Sequence, residues 1–321
     1  MITLQWIYTL AGAVFFAFAV LSVTDRQNGR RFINGAFWGL LALSFLFGDR
    51  LTDLANGVLV IGLVGLAAVG LGQGKPKTTT AGERAASAAR LGNRLFIPAL
   101  IIPVVALLGT LVLAKLRIGD IPLFDPKDPT LIALGLGAVL AVTAGMIMFR
   151  PPALAPLQEG RRLMDSVGWA AILPQMLAAL GAVFALAGVG QVVGGLVADV
   201  IPMNGPLIAV IAYCLGMALF TVIMGNAFAA FPVMTAALGL PFVVGQFGGN
   251  PAIVCAIGML AGFCGTLMTP MAANFNVVPA NLLELPDRNA AFNGVIRAQI
   301  PTALIMLGIN IALMYALAFR F

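Results

Sequence analysis

The chain alternates between long apolar runs and short polar breaks, and this alternation predicts membrane-spanning helices. A helix must be about 20 residues long to cross about 30 Å of hydrocarbon. The first run is longer than the roughly 7 to 15 residues of a signal-peptide core, and its basic residues follow it, so it predicts a permanent span. The first half of the sequence contains five such runs, at residues 2–23, 32–47, 54–71, 95–114 and 131–149.

The second half also consists of apolar runs, but glycine, proline and asparagine interrupt them. Its predicted spans are residues 167–187, 206–224, 252–264 and 302–319. Its predicted interruptions are a break at 188–191 before a short helix over 192–200, a broken helix that starts at Gly225-Asn226, a glycine-rich turn at 245–251 and a second broken segment over 265–281. Between Asp165 and Glu284 the only charged residue is Asp199, which lies near a predicted helix end.

Together these runs predict an all-α integral membrane protein with about nine or ten transmembrane helices, including broken helices and a re-entrant hairpin. The difference in polarity between the halves predicts two regions. Residues 1–150 form a five-helix scaffold region, and residues 151–321 form a transport region with interrupted helices.

Composition supports the same class, because 61% of the residues are hydrophobic and 9% are charged, with a mean hydropathy of +1.03. The chain has no histidine, the commonest metal ligand and the usual base beside a nucleophile. Its three cysteines lie in apolar segments, where packing is the expected role. These features disfavour hydrolases, metal sites and disulfide frameworks.

The basic residues predict the orientation of the chain. The loops after the first, third and fifth spans hold eleven Lys and Arg residues, against four in the second and fourth loops. Under the positive-inside rule, the odd loops face the cytoplasm and the N-terminus lies outside it. Because the basic residues are spread over loops, the net charge of +6 indicates topology rather than nucleic-acid binding.

Two stretches of the second region, residues 221–235 and 264–279, combine Gly and Pro with Asn and Thr. Unpaired backbone groups cost several kcal/mol in lipid, so helices broken at membrane depth usually line a wet cavity or lie inside protein. The N-terminus of a half-helix offers free N–H groups and about half a positive charge to an anion. The predicted substrate-binding residues are Gln191, Gly225, Asn226, Phe228, Thr235, Gly265, Thr266, Thr269, Asn274 and Asn276.

Other interpretations of these residues stay open. Small residues are common packing seams between transmembrane helices. Gln191 is a candidate for a hairpin tip that faces the site, and a glycine-packed helix crossing explains the glycines around it equally well. Without histidine or a mid-membrane acid, a Na⁺ coupling ion near Asn226 and Thr266 is favoured over a proton, and coupling supplied elsewhere is the alternative. No cofactor, no certain metal site and no catalytic residue is predicted.

The stretches around Gly225-Asn226 and residues 266–276 carry a resemblance that extends over the whole chain. The chain resembles the larger subunit of a bacterial two-subunit inner-membrane permease family assigned to the uptake of 5-oxoproline (pyroglutamate). The second region is also similar to the ion-transporter superfamily, which has an Asn-Thr motif at hairpin tips and an elevator motion. Here the motif reads Gly225-Asn226-Ala227, so the Thr is missing.

The resemblance implies a smaller membrane subunit as partner, since the chain is short for two full inverted repeats. The predicted function is therefore a secondary transporter subunit for uptake of a small carboxylate, and not an enzyme. A non-transporting assembly subunit of a permease is the first alternative. An intramembrane transferase is the second, although Asp49 and Asp53 form only a lone acidic pair at a span end.

Overall fold

The structure is a computed structural model that describes residues 1–74, 79–272, 275–276, 278–282 and 288–320. These residues are almost entirely helical. Contacts between them divide the chain into two compact units, Met1–Gly168 and Trp169–Phe321.

The first unit is built from helix hairpins. Its described helices are α1 (Leu4–Thr24), α2 (Arg31–Phe47), α3 (Asp53–Val69), α4 (Ala81–Leu91), α5 (Phe96–Leu111), α6 (Pro129–Phe149) and α7 (Ala155–Val167). Helix α1 packs along α2, and α5 packs along α6. The fourth loop forms a β-hairpin of two short strands, β1 (Arg117–Ile118) and β2 (Ile121–Pro122). The described residues contain one further β-bridge, between Ile2 and Phe124.

Local sequence explains why two helices form where the sequence analysis expected a loop. Thr80 and Glu83 cap the start of α4 reciprocally, with Glu83 N–H donating to Thr80 Oγ1 at 3.2 Å and Thr80 N–H donating to Glu83 Oε2 at 2.8 Å. Helix α7 is amphipathic, and it packs on α1. The predicted division after residue 150 therefore falls within the first compact unit, which includes α7 and ends at Gly168.

Contacts between loops bring the odd-numbered loops of the first unit together. Arg30, after the first span, donates to Val69 O at 2.8 Å and to Gly70 O at 2.9 Å, after the third span. Arg161, after the fifth span, forms an ion pair with Asp25. Near the N-terminus, Ile2 pairs instead with the fourth loop. Its N–H donates to Leu123 O, and its carbonyl accepts from Asp125 N–H. This arrangement has the alternation of sides that the charge pattern predicts.

The second unit packs α10, α12 and α14 around one apolar core. Its described helices are α8 (Leu173–Leu186), α9 (Val189–Val200), α10 (Pro206–Met224), α11 (Ala227–Met234), α12 (Pro251–Met268), α13 (Val278–Leu282) and α14 (Arg288–Ala318). A π-helical segment, Thr235–Gln246, continues α11 and contains Pro241. The predicted glycine-rich turn follows it, and Asn250 caps α12 by accepting bonds from Ala252 N–H and Ile253 N–H.

Helices α8 and α9 form the predicted hairpin, with the turn at Ala187 and Gly188. Gly188 has a φ of +71°, a conformation that glycine adopts without strain. The turn is shorter than the predicted break at 188–191, because Gly190 packs tightly against Val233 O and Ala236 and can remain helical. Arms of 14 and 12 residues are about 21 and 18 Å long, so neither crosses the hydrocarbon alone.

The described residues contain nine helical segments long and apolar enough to cross a membrane. They are Leu4–Thr24, Arg31–Arg50, Gly82–Lys115, Pro129–Phe149, Ala155–Leu186, Pro206–Met224, Ala227–Gln246, Pro251–Met268 and Asn293–Ala318. Helix α3 is apolar but has only 17 residues. The protein is therefore an all-α multi-pass integral membrane protein, as the sequence predicts.

The packing of the second unit predicts a stability difference between two glycine substitutions. In Gly258→Ala the new methyl would overlap the buried ring and hydroxyl of Tyr213, so we expect a loss of about 1–3 kcal/mol in the free energy of unfolding. Gly308→Ala, also in a helix, has no atom within 4 Å of the new Cβ and should not destabilise the protein. Titration with SDS in mixed micelles measures both. Equal stability of the two variants would contradict this packing.

Candidate functional site

The first helix break in the second unit lies between α10 and α11. Gly225 ends α10 at a φ of +76°, in the left-handed region that favours glycine. Asn226 then begins α11, and its Oδ1 accepts a hydrogen bond from Phe228 N–H at 2.7 Å. Asn226 is only 4% exposed. The Gly-Asn pair thus creates a helix N-terminus inside the unit, as the sequence predicts.

The second break follows α12. This helix continues through Gly265 and Thr266 to Met268, so the break begins later than the predicted segment 265–281. Thr266 is helical, and its hydroxyl donates to Phe263 O of the same helix at 2.6 Å. Asn276 lies against the helix end, with Nδ2 donating to Thr266 O at 3.1 Å and to Thr269 O at 2.6 Å. Two carbonyls at this break therefore have a side-chain partner.

The two breaks lie side by side. The Thr269 hydroxyl, after α12, donates to Val222 O near the end of α10 at 2.8 Å. A Cβ added to Gly225 would lie 2.6 Å from Met271 Cβ and 2.9 Å from Met271 O, so only glycine allows this approach. The structure therefore brings Gly225, Asn226, Thr269 and Asn276 together with the backbone of Thr266.

Gly265 serves this arrangement through packing. A Cβ on Gly265 would overlap Ala218 O and lie 2.9 Å from Thr221 Cβ. The missing side chain lets α12 approach α10 closely just before both helices break. Gly265 therefore has a structural role, which fits the packing-seam interpretation of the sequence.

Three side-chain oxygens around the breaks are buried and have no hydrogen-bond partner among the described residues. They are Thr221 Oγ1, Asn276 Oδ1 and Gln299 Oε1. The other ends of the two amides are held, because Asn276 Nδ2 binds the α12 carbonyls and Gln299 Nε2 donates to Phe275 O at 3.4 Å. Buried polar atoms nearly always have a partner, so these oxygens indicate a place for water, an ion or a ligand group.

Aromatic rings adjoin the first break. The ring of Phe228, in the first turn of α11, meets the ring of Phe263 edge-on at 5.8 Å between centroids, and Phe263 lies 5.8 Å from Phe275. Phe228 is 38% exposed. It therefore gives the helix N-terminus an apolar neighbour that a ligand could reach.

The remaining predicted site residues lie elsewhere. Thr235 bonds the buried Tyr213 hydroxyl at 2.8 Å inside the apolar core, away from the breaks. Gln191 lies within α9 and is exposed, and its neighbour Gly190 packs at Val233, about 10 Å along α11 from Asn226. It is in the first turn of α9, three residues after Gly188, so it lies near the hairpin tip and its role in binding stays a prediction. Asn274 lies outside the described residues.

Sequence reasoning did not assign Thr221 and Gln299 to the site. Thr221 is one helical turn before Gly225, so its place at the end of α10 could have been inferred from the predicted break. Gln299 is a polar residue on the long apolar helix α14, and only the fold shows that it reaches the backbone of Phe275.

The arrangement combines a helix N-terminus with two helix C-termini. The first turn of α11 has backbone N–H groups without intrahelical partners and a partial positive charge, which favours an anion. The C-terminal ends of α10 and α12 carry a partial negative charge. The unpartnered side-chain oxygens can coordinate Na⁺ or accept a hydrogen bond from water. Within the described residues, no three His, Cys, Asp or Glu side chains lie close enough to hold a metal ion.

The contacts of Thr269 predict that it stabilises the paired breaks more than Thr266 does. Thr269→Val would remove the donor to the Val222 carbonyl and the acceptor for Met271 N–H, so we expect a loss of about 1–3 kcal/mol in the free energy of unfolding. Thr266→Val is the matched control, because its hydroxyl bonds only within α12. SDS titration compares the two. A loss confined to Thr266→Val would contradict the role of Thr269.

Comparison with known proteins gives one family and no individual relative. No curated protein and no solved structure matches the chain significantly. The model of the family described as "Protein of unknown function (DUF979)" matches residues 5–319. This match covers both compact units, so the chain belongs to the DUF979 family.

Proposed function

We propose that this protein is the transport subunit of a secondary permease that takes up a small carboxylate, with 5-oxoproline as the candidate substrate. The observation that carries the proposal is the pair of adjacent helix breaks, which surround buried oxygens without partners. Transporters hold substrate near the midplane of the membrane with half-helices arranged in this way. The substrate carboxylate would bind at the N-terminus of α11, beside Asn226.

The aromatic neighbours support a small substrate with an apolar part. Phe228 and Phe263 adjoin the capped end of α11. A cyclic carboxylate such as 5-oxoproline has a carboxylate for the helix N-terminus, a ring for the aromatic side chains and an amide for a polar oxygen. Asn276 Oδ1 is a suitable acceptor for that amide N–H, because it is buried and its Nδ2 is already held.

Coupling to Na⁺ is part of the proposal. Thr221 Oγ1 and Gln299 Oε1 offer oxygen ligands, and Thr266 lies beside the break. The predicted Na⁺ site near Asn226 and Thr266 stays part of the proposal, and the unpartnered Thr221 Oγ1 adds an oxygen beside it, because Gly265, next to Thr266, packs against Thr221.

The partner and the membrane are also proposed. We place the protein in the bacterial inner membrane with the N-terminus outside the cytoplasm, in complex with a smaller membrane subunit. The second compact unit would be the moving part in an elevator motion, because it contains the breaks. The exposed apolar side chains of the short arms, such as Leu186 and Val200, offer a surface that this subunit or lipid would cover.

A second candidate function is a non-transporting assembly subunit. It is favoured by one observation: Thr269 and Asn276 already give partners to the Val222, Thr266 and Thr269 carbonyls. Breaks closed in this way could serve packing alone. Uptake measurements separate the two candidates.

Asn226→Asp tests the proposed anion site. Aspartate caps a helix as well as asparagine does, so the variant should fold. The N–H groups and partial positive charge at the N-terminus of α11 favour the ionised carboxylate at position 226, and this charge repels a substrate carboxylate. We expect uptake of radiolabelled 5-oxoproline into proteoliposomes with both subunits to fall at least about tenfold. Two like charges in contact weaken binding by several kcal/mol, and about 1.4 kcal/mol already corresponds to a factor of ten.

Asn250→Asp is the matched control, because Asn250 caps α12 by the same chemistry at a different place. It should transport normally. Equal uptake by Asn226→Asp and wild type would contradict the site, and absence of uptake by the wild-type complex would contradict the substrate.

A further inference from the structure

A second buried polar cluster lies in the first unit, whereas the helix breaks belong to the second. Helix α7 contributes Arg161 and Asp165, which are one helical turn apart and only 2% and 5% exposed. Residues from α1, α2 and the segment 70–74 surround them. Arg161 is one of the eleven basic residues of the odd loops that predict the topology, and the proposed transport site does not include this cluster.

Arg161 is held by several partners. Its Nη2 forms an ion pair with Asp25 Oδ2 at 2.9 Å, and its Nη1 donates to Leu21 O at 3.0 Å. Gln158 Oε1 lies 3.4 Å from Nη2. The guanidinium charge is therefore matched by the Asp25 carboxylate.

Asp165 has a different environment. Its Oδ1 accepts hydrogen bonds from Asn34 Nδ2 at 3.0 Å and from Trp38 Nε1 at 2.9 Å. Its Oδ2 is buried and has no hydrogen-bond partner in the part of the chain that the structure describes. Arg161 is bonded to Asp25 and its charge also acts on Asp165, so the described part of the cluster holds two carboxylates and one cation.

Among the described residues, the neighbouring arginines contact groups other than the Asp165 carboxylate. Arg30, at the start of α2, donates to the Val69 and Gly70 carbonyls, and Arg31 lies over the ring of Phe32. On α7, Arg162 pairs with Glu159 at 2.8 Å. Arg26 lines a neighbouring pocket, and Lys75 and Lys77 lie outside the described residues.

We propose that the Asp165 carboxyl is a proton-binding site. One proton from water bonds to Oδ2 of the carboxylate, converts it to a neutral carboxylic acid and leaves the Arg161–Asp25 pair ionised. The buried charge without a cation is thereby removed, which is the usual outcome for an unpaired buried carboxylate. Oδ1 keeps its two N–H donors in both states.

The surrounding atoms favour a proton over a metal ion. Asp165 is faced by N–H donors of Asn34 and Trp38, whereas a bound Na⁺ or Ca²⁺ needs several oxygen ligands. Access for water is present nearby. An open pocket of about 380 Å³ is lined by Leu21, Thr24, Asp25, Arg26, Gln27, Gln158 and Arg161, and Asp165 is one turn beyond Arg161 on α7.

Protonation of Asp165 would affect the contacts of the segment that follows α3. Asn34 binds this segment through both ends of its amide, because Nδ2 donates to Gly72 O and Oδ1 accepts from Gly72 N–H. The same Nδ2 also binds Asp165. The two N–H groups of Nδ2 serve Gly72 O and Asp165 Oδ1 at the same time, so loss of the carboxylate charge weakens one of the bonds that hold the Asn34 amide against Gly72. This inference is independent of the proposed transport function.

Infrared spectroscopy of the purified full chain in nanodiscs tests the proposal. A pH titration should show a carboxylic-acid C=O stretching band that is present in wild type and in Asp120→Asn, an exposed carboxylate of the same unit, and is absent in Asp165→Asn. Asn at position 165 keeps an acceptor for Asn34 and Trp38, so the variant should fold. The same band in Asp165→Asn as in wild type would overturn the proposal.

Fluorescence of Trp38 provides a second readout that does not need an Asp165 variant. The chain has three tryptophans, and replacing Trp6 and Trp169 by Phe leaves Trp38, whose indole N–H donates to Asp165. We expect its emission to change with pH in one step of one proton, at the same pH in Na⁺ and in K⁺ buffers. Emission that is constant with pH, or that responds to Na⁺ instead, would overturn the proposal.

Discussion

The structure depends on one constraint: inside a membrane, each backbone N–H and C=O needs a partner from the protein. Long apolar helices meet this need by themselves, but the second unit breaks two of its helices beside each other. The breaks persist because short polar side chains replace the lost helical bonds. Asn226 caps an N-terminus, Thr269 reaches the Val222 carbonyl and Asn276 binds the end of α12.

Glycine makes this arrangement sterically possible. Gly225 turns the chain in the left-handed region against Met271, and Gly265 lets α12 approach Thr221 on α10. The result is a helix N-terminus, two C-termini and several free oxygens within one buried region. The first unit uses related chemistry at its own cluster, where Asn34 holds Gly72 and Asp165 together. In both units, uncharged side-chain amides hold irregular backbone in place. The buried oxygens that have no hydrogen-bond partner among the described residues are the atoms available to a ligand, an ion or a proton.

Local chemistry made part of this predictable from sequence. The lengths of the apolar runs predicted membrane-spanning helices, and the Gly225-Asn226 pair predicted the first break. The basic residues predicted the alternation of the loops. Reasoning failed where contacts join distant parts of the chain. The partners of Asp165 are more than one hundred residues away, and Gln299 meets Phe275 only in the folded unit. The predicted break at 188–191 is too long because Gly190 resembles a break residue in sequence, although it is a packing glycine within α9.

The central claim is that a wet site accessible to substrate lies at the paired breaks, and cysteine accessibility tests it most directly. In a background with Cys214, Cys255 and Cys264 replaced by Ala, Asn226→Cys should react with an anionic, water-soluble methanethiosulfonate, and 5-oxoproline should slow the reaction. Ala230→Cys, one turn further along α11 and fully buried, should not react. If Asn226→Cys is as unreactive as Ala230→Cys, the breaks enclose no such site and the account is contradicted.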